Sequence, residues 1–313
     1  MQLSDRIERR MKLRDLHILM IVVQAGSMGK AAERLNSTQP AISRSIAELE
    51  HALGVRLLDR HRQVIEPTEY GRALLDCGVA VFDDLRQGVK KIEFLSDPST
   101  GEVRIGSTTF LAASFVSAVV DRLSRCYPQI VFCLATASTV ALHRELNERK
   151  VDLLIVRRFD PIADEGLDFE FLFDDSFVVA VGAQNAWARR RRIELADLVN
   201  EPWVLPPPEN AMGLVSRDTF RKSGLNFPRA TVVAGPPEIR MSLLATGRFL
   251  TIFPASVLKF PTTRAEIKIL PVQLPIARVP NGIVTLKNRT LSPVARLFIE
   301  HARELAKLRA KRK

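Results

Sequence analysis

Between Leu13 and Gly54 the apolar residues recur at helical spacing, and the pattern is broken twice. Leu13, Leu16, Met20 and Val23 step by three and four residues, the stripe of a helix with one buried face. Gly26 stops that stripe, and Ser27 is placed to cap the helix that follows. This second helix is short, with Met28, Ala31, Ala32 and Leu35 inward. Asn36-Ser37 breaks the chain again; Thr38 is placed to cap a third helix, and Pro40 is tolerated in its first turn. The third helix runs to about Ala52, with Ile42, Ile46, Leu49 and Leu53 inward. Small Ala31 and Ala32 let the second and third helices approach closely, so the geometry is a helix-turn-helix. Thr38, Gln39, Ser43 and Arg44 lie off the apolar stripe at the start of the third helix. Gln pairs bidentately with adenine, Arg with guanine, and hydroxyls reach bases or phosphates. The competing reading is the solvated face of an ordinary helical bundle.

Charge does not choose between the two. The 313 residues, enough for two or three domains, carry 46 Lys and Arg against 35 Asp and Glu, a net charge of +11. Residues 1–95 contribute 15 basic and 13 acidic side chains, so the helix-turn-helix region is nearly neutral. The excess lies in Arg189–Arg192 and in residues 303–313, which read as a solvated loop and a frayed basic tail. Hydrophobic residues make up 46%, enough for packed cores. The longest apolar run, Leu16 to Val23, contains His17 and falls far short of the ~18 residues of a membrane span. The opening MQLSDRIERRMKLRD alternates charges and does not read as a secretory signal. Three cysteines, Cys77, Cys126 and Cys133, make no disulfide framework and point to the reducing cytoplasm.

The residues themselves say more. AAERLN, STQPAISRSIAELE, LGVRLLDR and TEYG, in one ungapped run from Ala31 to Gly71, resemble the amino-terminal domain of the LysR-type transcriptional regulators. The resemblance implies a winged helix-turn-helix whose third helix enters the major groove of double-stranded DNA. Ser27, Thr38, Gln39, Pro40, Ser43 and Arg44 are then expected to face bases and phosphates. Arg60 and Arg62 fall in a wing around Leu57–Pro67, where guanidinium groups reach the minor groove or phosphate. Pro67 departs from the usual Leu before the Thr and leaves the end of the wing strand open.

Past Thr68 the period changes. Leu74, Gly78, Val81, Leu85, Gly88, Ile92 and Leu95 alternate steps of four and three, the signature of a helix lying along a partner helix. A helix from Glu69 to Leu95 spans about 40 Å. Either it lies on its own domain or it pairs two subunits. The family resemblance implies the second, a homodimer seam through Leu74, Val81, Leu85 and Ile92, with a homotetramer as the full assembly and RNA polymerase as a further partner. SDPSTG, Ser96 to Gly101, is a polar boundary.

From Glu102 strands and helices alternate, which implies parallel sheet covered by helices. Expected strands include Val103–Gly106, Gln129–Ala135, Val151–Val156, Val178–Gly182, Trp203–Leu205, Thr231–Ala234, Phe249–Phe253 and Ile283–Leu286. Expected helices are Phe110–Arg125, Val140–Glu148, Leu195–Val199, Leu214–Lys222, Glu238–Ala245 and Val294–Leu308. The layout, with VDLLIV and ATGRFLTIFP, resembles the family's effector-binding portion, two lobes akin to type-II periplasmic binding proteins. The chain is expected to cross between lobes near Phe173–Phe177 and to return near Gln273–Arg278. The family's HPLA appears here as NAWA, Asn185 to Ala188.

The fold class is therefore α/β multidomain. It comprises a mostly α winged helix-turn-helix (1–67), a linker and dimerisation helix (68–95), a hinge (96–101) and a two-lobed effector domain (102–313). Lobe I takes about 102–173 and 277–313, and lobe II about 177–273. In such folds ligands sit outside the carboxyl ends of strands, where helix N-termini point. The converging loops hold Ser107, Thr108, Thr109, Ser138, Thr139, Arg157, Arg158 and Asn210. Hydroxyls and free N–H groups bind carboxylates or phosphates, and an arginine beyond a buried strand can clamp one bidentately. The expected effector is a small anion, such as an organic or sugar acid; the alternative is that the arginines are surface groups and the threonines caps.

No catalytic constellation is present. The five histidines are scattered without metal-ligand spacing, so no metal or cofactor is expected beyond the small-molecule effector. A GxSxG elbow, a Walker loop and a strand-borne GxGxxG are all missing. Asp174 and Asp175 point apart on a strand and read as crossover residues. Cys126 and Cys133 invite a redox switch, but Cys133 lies in an apolar strand and reads as a buried, inert thiol. A solute-binding protein would not carry a helix-turn-helix, and an enzyme with a DNA domain would need a nucleophile or cofactor motif.

Overall fold

The computed structural model describes residues 11–61, 64–158, 165–256, 267–276 and 278–310. The chain forms two compact units, divided between Val89 and Lys90, inside one long helix.

The first unit opens with α1 (Leu13–Ala25), α2 (Met28–Arg34) and α3 (Gln39–Leu53). Gly26, at φ +70, closes α1 and donates its N–H to the carbonyls of Val22 and Val23. The Ser27 hydroxyl caps α2 by accepting from Lys30 N at 3.1 Å. Thr38 begins α3 without a side-chain cap, and Pro40 fits the first turn. Leu19, Val22, Ala31, Ile42 and Ile46 meet in the core. The inward faces of α2 and α3 are those expected, but α1 buries Leu16, Ile18, Leu19 and Val22 and leaves Leu13 exposed and Met20 and Val23 half-buried, because α1 packs through a face rotated from the expected stripe. Strands β1 (Leu58–His61) and β2 (Val64–Pro67) form an antiparallel wing that pairs as far as Leu58 with Pro67, so the proline does not shorten it. The Glu50 carboxylate accepts from Leu57 N at 2.8 Å and Leu58 N at 3.2 Å, tying the end of α3 to the wing.

Thr68 caps α4 (Glu69–Ser96), accepting from Gly71 N at 3.0 Å while donating to Arg56 O at 2.7 Å. The amino-terminal half of α4 lies on its own unit. A Cβ at Gly78 would sit 3.1 Å from Leu16 and from Met20, and Leu74 and Leu75 pack on the helical core. Farther along the helix Leu85, Val89, Ile92 and Leu95 are exposed, whereas Leu74 of the expected seam is taken up by the core of its own unit.

The second unit holds two five-stranded sheets. The first has strand order β4-β3-β5-β12-β6, from β3 (Thr100–Ser107), β4 (Gln129–Thr136), β5 (Leu153–Arg157), β6 (Leu167–Asp175) and β12 (Val279–Leu286). The second has order β11-β7-β10-β8-β9, from β7 (Phe177–Gly182), β8 (Trp203–Leu205), β9 (Ala230–Val233), β10 (Leu250–Pro254) and β11 (Ile267–Ile269). Helices α5 (Ser117–Cys126), α6 (Thr139–Asn147) and α9 (Pro293–Ala310) belong to the first, α7 (Ala211–Lys222) and α8 (Pro237–Ala245) to the second. Phe115, Val119, Phe298 and Ala302 close the first core; Trp203, Phe220, Leu250 and Ile252 the second.

The sheets are mixed rather than parallel. β12 runs antiparallel to β5 and β6, and β7 antiparallel to β10 and β11. Strand β6 was not anticipated from its LDFEFLFDD. Its register shifts opposite Asn281 and Gly282, so Leu172 turns inward and Phe171 stays exposed, breaking the period-2 signal. The expected Phe110–Arg125 helix is instead a turn at Thr109–Leu111, a π-helical stretch at Ala112–Val116 and then α5; Ser117 Oγ donates to Ala112 O at 2.7 Å. Leu195–Leu198 is a single 3₁₀ turn. Cys133 is exposed, not buried, because β4 is the outer strand of its sheet, with Val131 and Leu134 exposed beside it. Among the described residues no helix is long and apolar enough to cross a membrane.

Two sequence motifs gain roles. Asp152 of VDLLIV is buried, accepts from Arg104 N at 2.9 Å and pairs with Arg289 at 3.1 Å. Asn185 of NAWA accepts from Trp187 N and donates to Gly247 O, both at 2.9 Å, which joins the end of β7 to the ATGRFLTIFP turn.

Candidate functional site

On the first unit, α3 turns Ile42, Ile46 and Leu49 inward and leaves Thr38, Gln39, Pro40 and Arg44 exposed, with Ser43 half-buried. The Arg44 side chain is 82% exposed and holds a 3.0 Å ion pair to Glu48 one turn on, a contact weak enough to exchange for another acceptor. Gln39 lies over Gly29 of α2, its Oε1 3.8 Å from where a Cβ would stand. The Ser27 hydroxyl is engaged as a cap at the start of α2. Arg60 lies in β1, while Arg62 falls outside the described residues.

On the second unit, the expected polar groups stand at strand ends, but not all are available. Ser107 Oγ donates to Ile155 O at 2.7 Å and fastens β3 to β5. The Thr108 hydroxyl is buried and has no partner among the described residues. Thr109 is half-buried at the start of the following turn. Ser138 and Asn210 cap α6 and α7, accepting from Ala141 N at 3.3 Å and Gly213 N at 2.7 Å, and Thr139 is half-buried in the first turn of α6.

The two adjacent arginines diverge. Arg157 is 5% exposed and turns to Asp175, Nη2 to Oδ2 at 3.0 Å. Asp175 also accepts from Ser256 N at 3.1 Å and Ser256 Oγ at 2.5 Å. Burial pushes the Arg157 guanidinium down from its usual range, and the Asp175 carboxylate opposes that shift. Arg158 is exposed, its guanidinium 4.3 Å above the Phe169 ring. Arg157 is therefore a clamp on the crossover, where β6 of one sheet ends and β7 of the other begins, rather than an open anion receptor. Asp174, next to Asp175, is exposed, so the pair points apart as anticipated.

One residue escaped the sequence reasoning. Arg240 on α8 is 2% exposed, and its Nε and Nη1 are buried without a partner among the described residues. Its guanidinium lies 5.0 Å from the Phe253 ring and 5.8 Å from the Phe110 ring. Burial lowers its pKa to about 10, a shift that Glu238 opposes. The available signal was its place four residues before Leu244 on the inward stripe of α8.

Comparison with known proteins matches both units. The family model described as "Bacterial regulatory helix-turn-helix protein, lysR family" covers residues 13–72, and that described as "LysR substrate binding domain" covers residues 96–307. The chain is 25% identical over 307 residues to the HTH-type transcriptional regulator GbpR of Azospirillum brasilense, covering 98% of this chain and 90% of the relative. It is 29% identical over 292 residues to the transcriptional dual regulator GltC of Bacillus subtilis (strain 168), covering 93% and 96%. Full-length CbnR complexed with its target DNA shares the fold at a TM-score of 0.56 and 23% identity, covering 95% of this chain and all of that one. With a regulatory helix-turn-helix in one unit and a substrate-binding domain in the other, this chain belongs to the LysR family of DNA-binding transcriptional regulators.

Proposed function

We propose that this regulator reads an operator through Thr38, Gln39, Pro40, Ser43 and Arg44 of α3, with the β1–β2 wing on the adjacent backbone. The observation that carries the reading is the division of α3: one face holds the core together, and the other presents Thr38, Gln39, Pro40 and Arg44, with Ser43 half-buried at its edge. The nearly neutral first unit draws its affinity from two half-sites read by a homodimer. The exposed Leu85 and Ile92 of α4 form the seam between subunits, and two dimers make the tetramer.

The effector in this reading is a small anion held between the two sheets, near Thr108, Thr109, Thr139 and Arg158. The partnerless Thr108 hydroxyl at the end of β3 supports that placement. Binding shifts the closure of the lobes, and the assembly transmits the shift as a change in DNA bending. The relatives are transcriptional regulators, and we assign no catalytic role to any side chain. Three unpaired, exposed cysteines suit a reducing cytoplasm. Footprinting the full-length protein on the DNA beside its own gene tests the reading. Protection of two half-sites supports it, and no protection at any salt concentration removes it.

A further inference from the structure

The run Arg189–Arg192 reads from sequence as a solvated loop, but the fold anchors it at both sides. Arg189 closes the 3₁₀ turn Ala186–Arg189, which Asn185 holds by accepting from Trp187 N and donating to Gly247 O, both at 2.9 Å. Trp187 and Ala188 before the run, and Ile193 and Leu195 after it, pack on the second core, while all four arginines stay exposed.

Strand register brings further cations to the same end of the sheet. β7 ends at Gly182, where β8, β9, β10 and β11 begin: Val181 pairs with Leu250, Leu250 with Trp203, Trp203 with Ala230 and Gly182 with Ile267. Arg229, just before β9, and Arg248, two residues before β10, are exposed there. Six arginines thus line the end of the second sheet away from the crossover at Asp175–Phe177. From β7 to β9 that end is three strand spacings wide, about 14 Å.

Among the described residues none of the six pairs with a carboxylate. Asp197, close in the chain, accepts from Glu194 N at 3.0 Å instead. Arg248 lies 5.3 Å from the Phe249 ring, a contact that leaves its charge unneutralised. Surface cations of the first sheet's helices and turns are matched by contrast, in the pairs Arg122–Glu304, Arg125–Asp121, Lys150–Glu148 and Arg303–Glu170. Guanidinium groups crowded without counter-charge repel one another and build a local positive potential. Their planar forks match phosphate oxygens bidentately, and a DNA duplex carries about eight phosphate charges over 14 Å.

We propose that this arginine end of the second sheet grips the phosphate backbone of the bound DNA without regard to sequence, as a contact separate from the helix-turn-helix. Residues 1–95 hold 15 basic against 13 acidic side chains, so the first unit brings little phosphate attraction of its own. Both units belong to one chain, so a duplex captured by the first is presented to the second at raised effective concentration.

Fluorescence anisotropy of the full-length protein across a salt series, on its operator and on a scrambled duplex of equal length, tests the contact. The fourfold variant Arg189→Gln, Arg190→Gln, Arg191→Gln and Arg192→Gln is expected to weaken binding to both duplexes by the same factor. It is also expected to lower the slope of log K against log salt by about 2–4. Adding Arg229→Gln and Arg248→Gln is expected to lower the slope by about 1–2 more. The control variant Arg122→Gln, Arg125→Gln, Lys150→Gln and Arg303→Gln removes as much charge from matched pairs, and its slope is expected to stay close to that of the wild type. An unchanged slope in the Arg189–Arg192 variant overturns the proposal and leaves an acidic protein surface as the partner of the patch. An equal fall in the control overturns it in favour of a general effect of net charge, and a loss on the operator alone overturns the indifference to sequence. No further fall on adding Arg229→Gln and Arg248→Gln overturns the extension across the sheet end. Should the fourfold change lower the melting temperature, the two double variants, Arg189→Gln with Arg190→Gln and Arg191→Gln with Arg192→Gln, are expected to share the fall. No fall in either overturns the proposal as well.

Discussion

The guanidinium of Arg157 lies 3.0 Å from the carboxylate of Asp175, and both side chains are about 95% buried. The pair joins the end of β5 to the end of β6, where the chain leaves one sheet for the other. Ser256, just past β10 of the second sheet, completes the cluster. Removing one charge strands the other in a dry site. Arg157→Met and Asp175→Asn are each expected to lower stability by about 3–5 kcal/mol in urea unfolding. The double variant is expected to lose less than the two single variants combined, a coupling that a merely exposed pair would not show.

Gly71 of the TEYG motif has no space for a side chain. A Cβ there would stand 2.1 Å from Leu57 O, a backbone atom where the wing begins. Gly71→Ala is therefore expected to cost about 1–3 kcal/mol and to displace the wing. Circular dichroism melts measure the first effect, and DNA affinity at fixed salt the second. An unchanged melt contradicts the packing.

The long helix α4 is buried unevenly along its length. Leu74 packs on the helical core of its own unit, whereas Leu85 and Ile92 are 47% and 65% exposed. Leu74→Ala is expected to destabilise the fold by roughly 2 kcal/mol or more. Leu85→Glu with Ile92→Glu is expected to shift sedimentation toward monomer without lowering the stability of the protomer. If the dimer survives the double substitution, the seam lies elsewhere.

Arg240 makes the pH dependence of stability diagnostic. Its folded pKa of about 10 lies below the ordinary arginine range of the unfolded chain. Below pH 10 both states are charged, and the burial cost is fully present. Above pH 10 the folded state releases the proton first, so the cost shrinks as pH rises. Without ligand, Arg240→Met is expected to exceed the wild type by on the order of 1–3 kcal/mol at neutral pH, after the lost ring contacts are counted. The gap is expected to narrow above pH 10. A constant gap across that range removes the explanation.

The helices of the first unit were legible because Gly26, Ser27 and Gly54 mark their ends by backbone chemistry and α2 and α3 report their buried faces through a regular spacing; α1, apolar on more than one side, was read with Leu13 inward although Ile18, Leu19 and Val22 take that place. What escaped reading depends on tertiary placement. Strand β6 was hidden by the irregularity at Leu172, which reverses its alternation. Cys133 sits in an apolar strand, but an outer strand of a sheet leaves such a thiol exposed. Nothing local tells Arg157, which turns inward to Asp175, from Arg158, which stacks on Phe169. Arg240 looks like any helical arginine until Phe110, more than a hundred residues away in the chain, packs across it. Net charge pointed toward nucleic acid, although residues 1–95 supply little of it.

The central claim is that the exposed face of α3 reads base sequence. The direct test is fluorescence anisotropy of the full-length protein on its footprinted operator and on a scrambled duplex of equal length, across a salt series. For the wild type, the operator is expected to bind on the order of a thousandfold more tightly or better. Gln39→Ala and Arg44→Ala are each expected to lose about 1–3 kcal/mol on the operator and little on the scrambled duplex, with the salt slope nearly unchanged. Equal losses on both duplexes, or no loss on either, would contradict the claim.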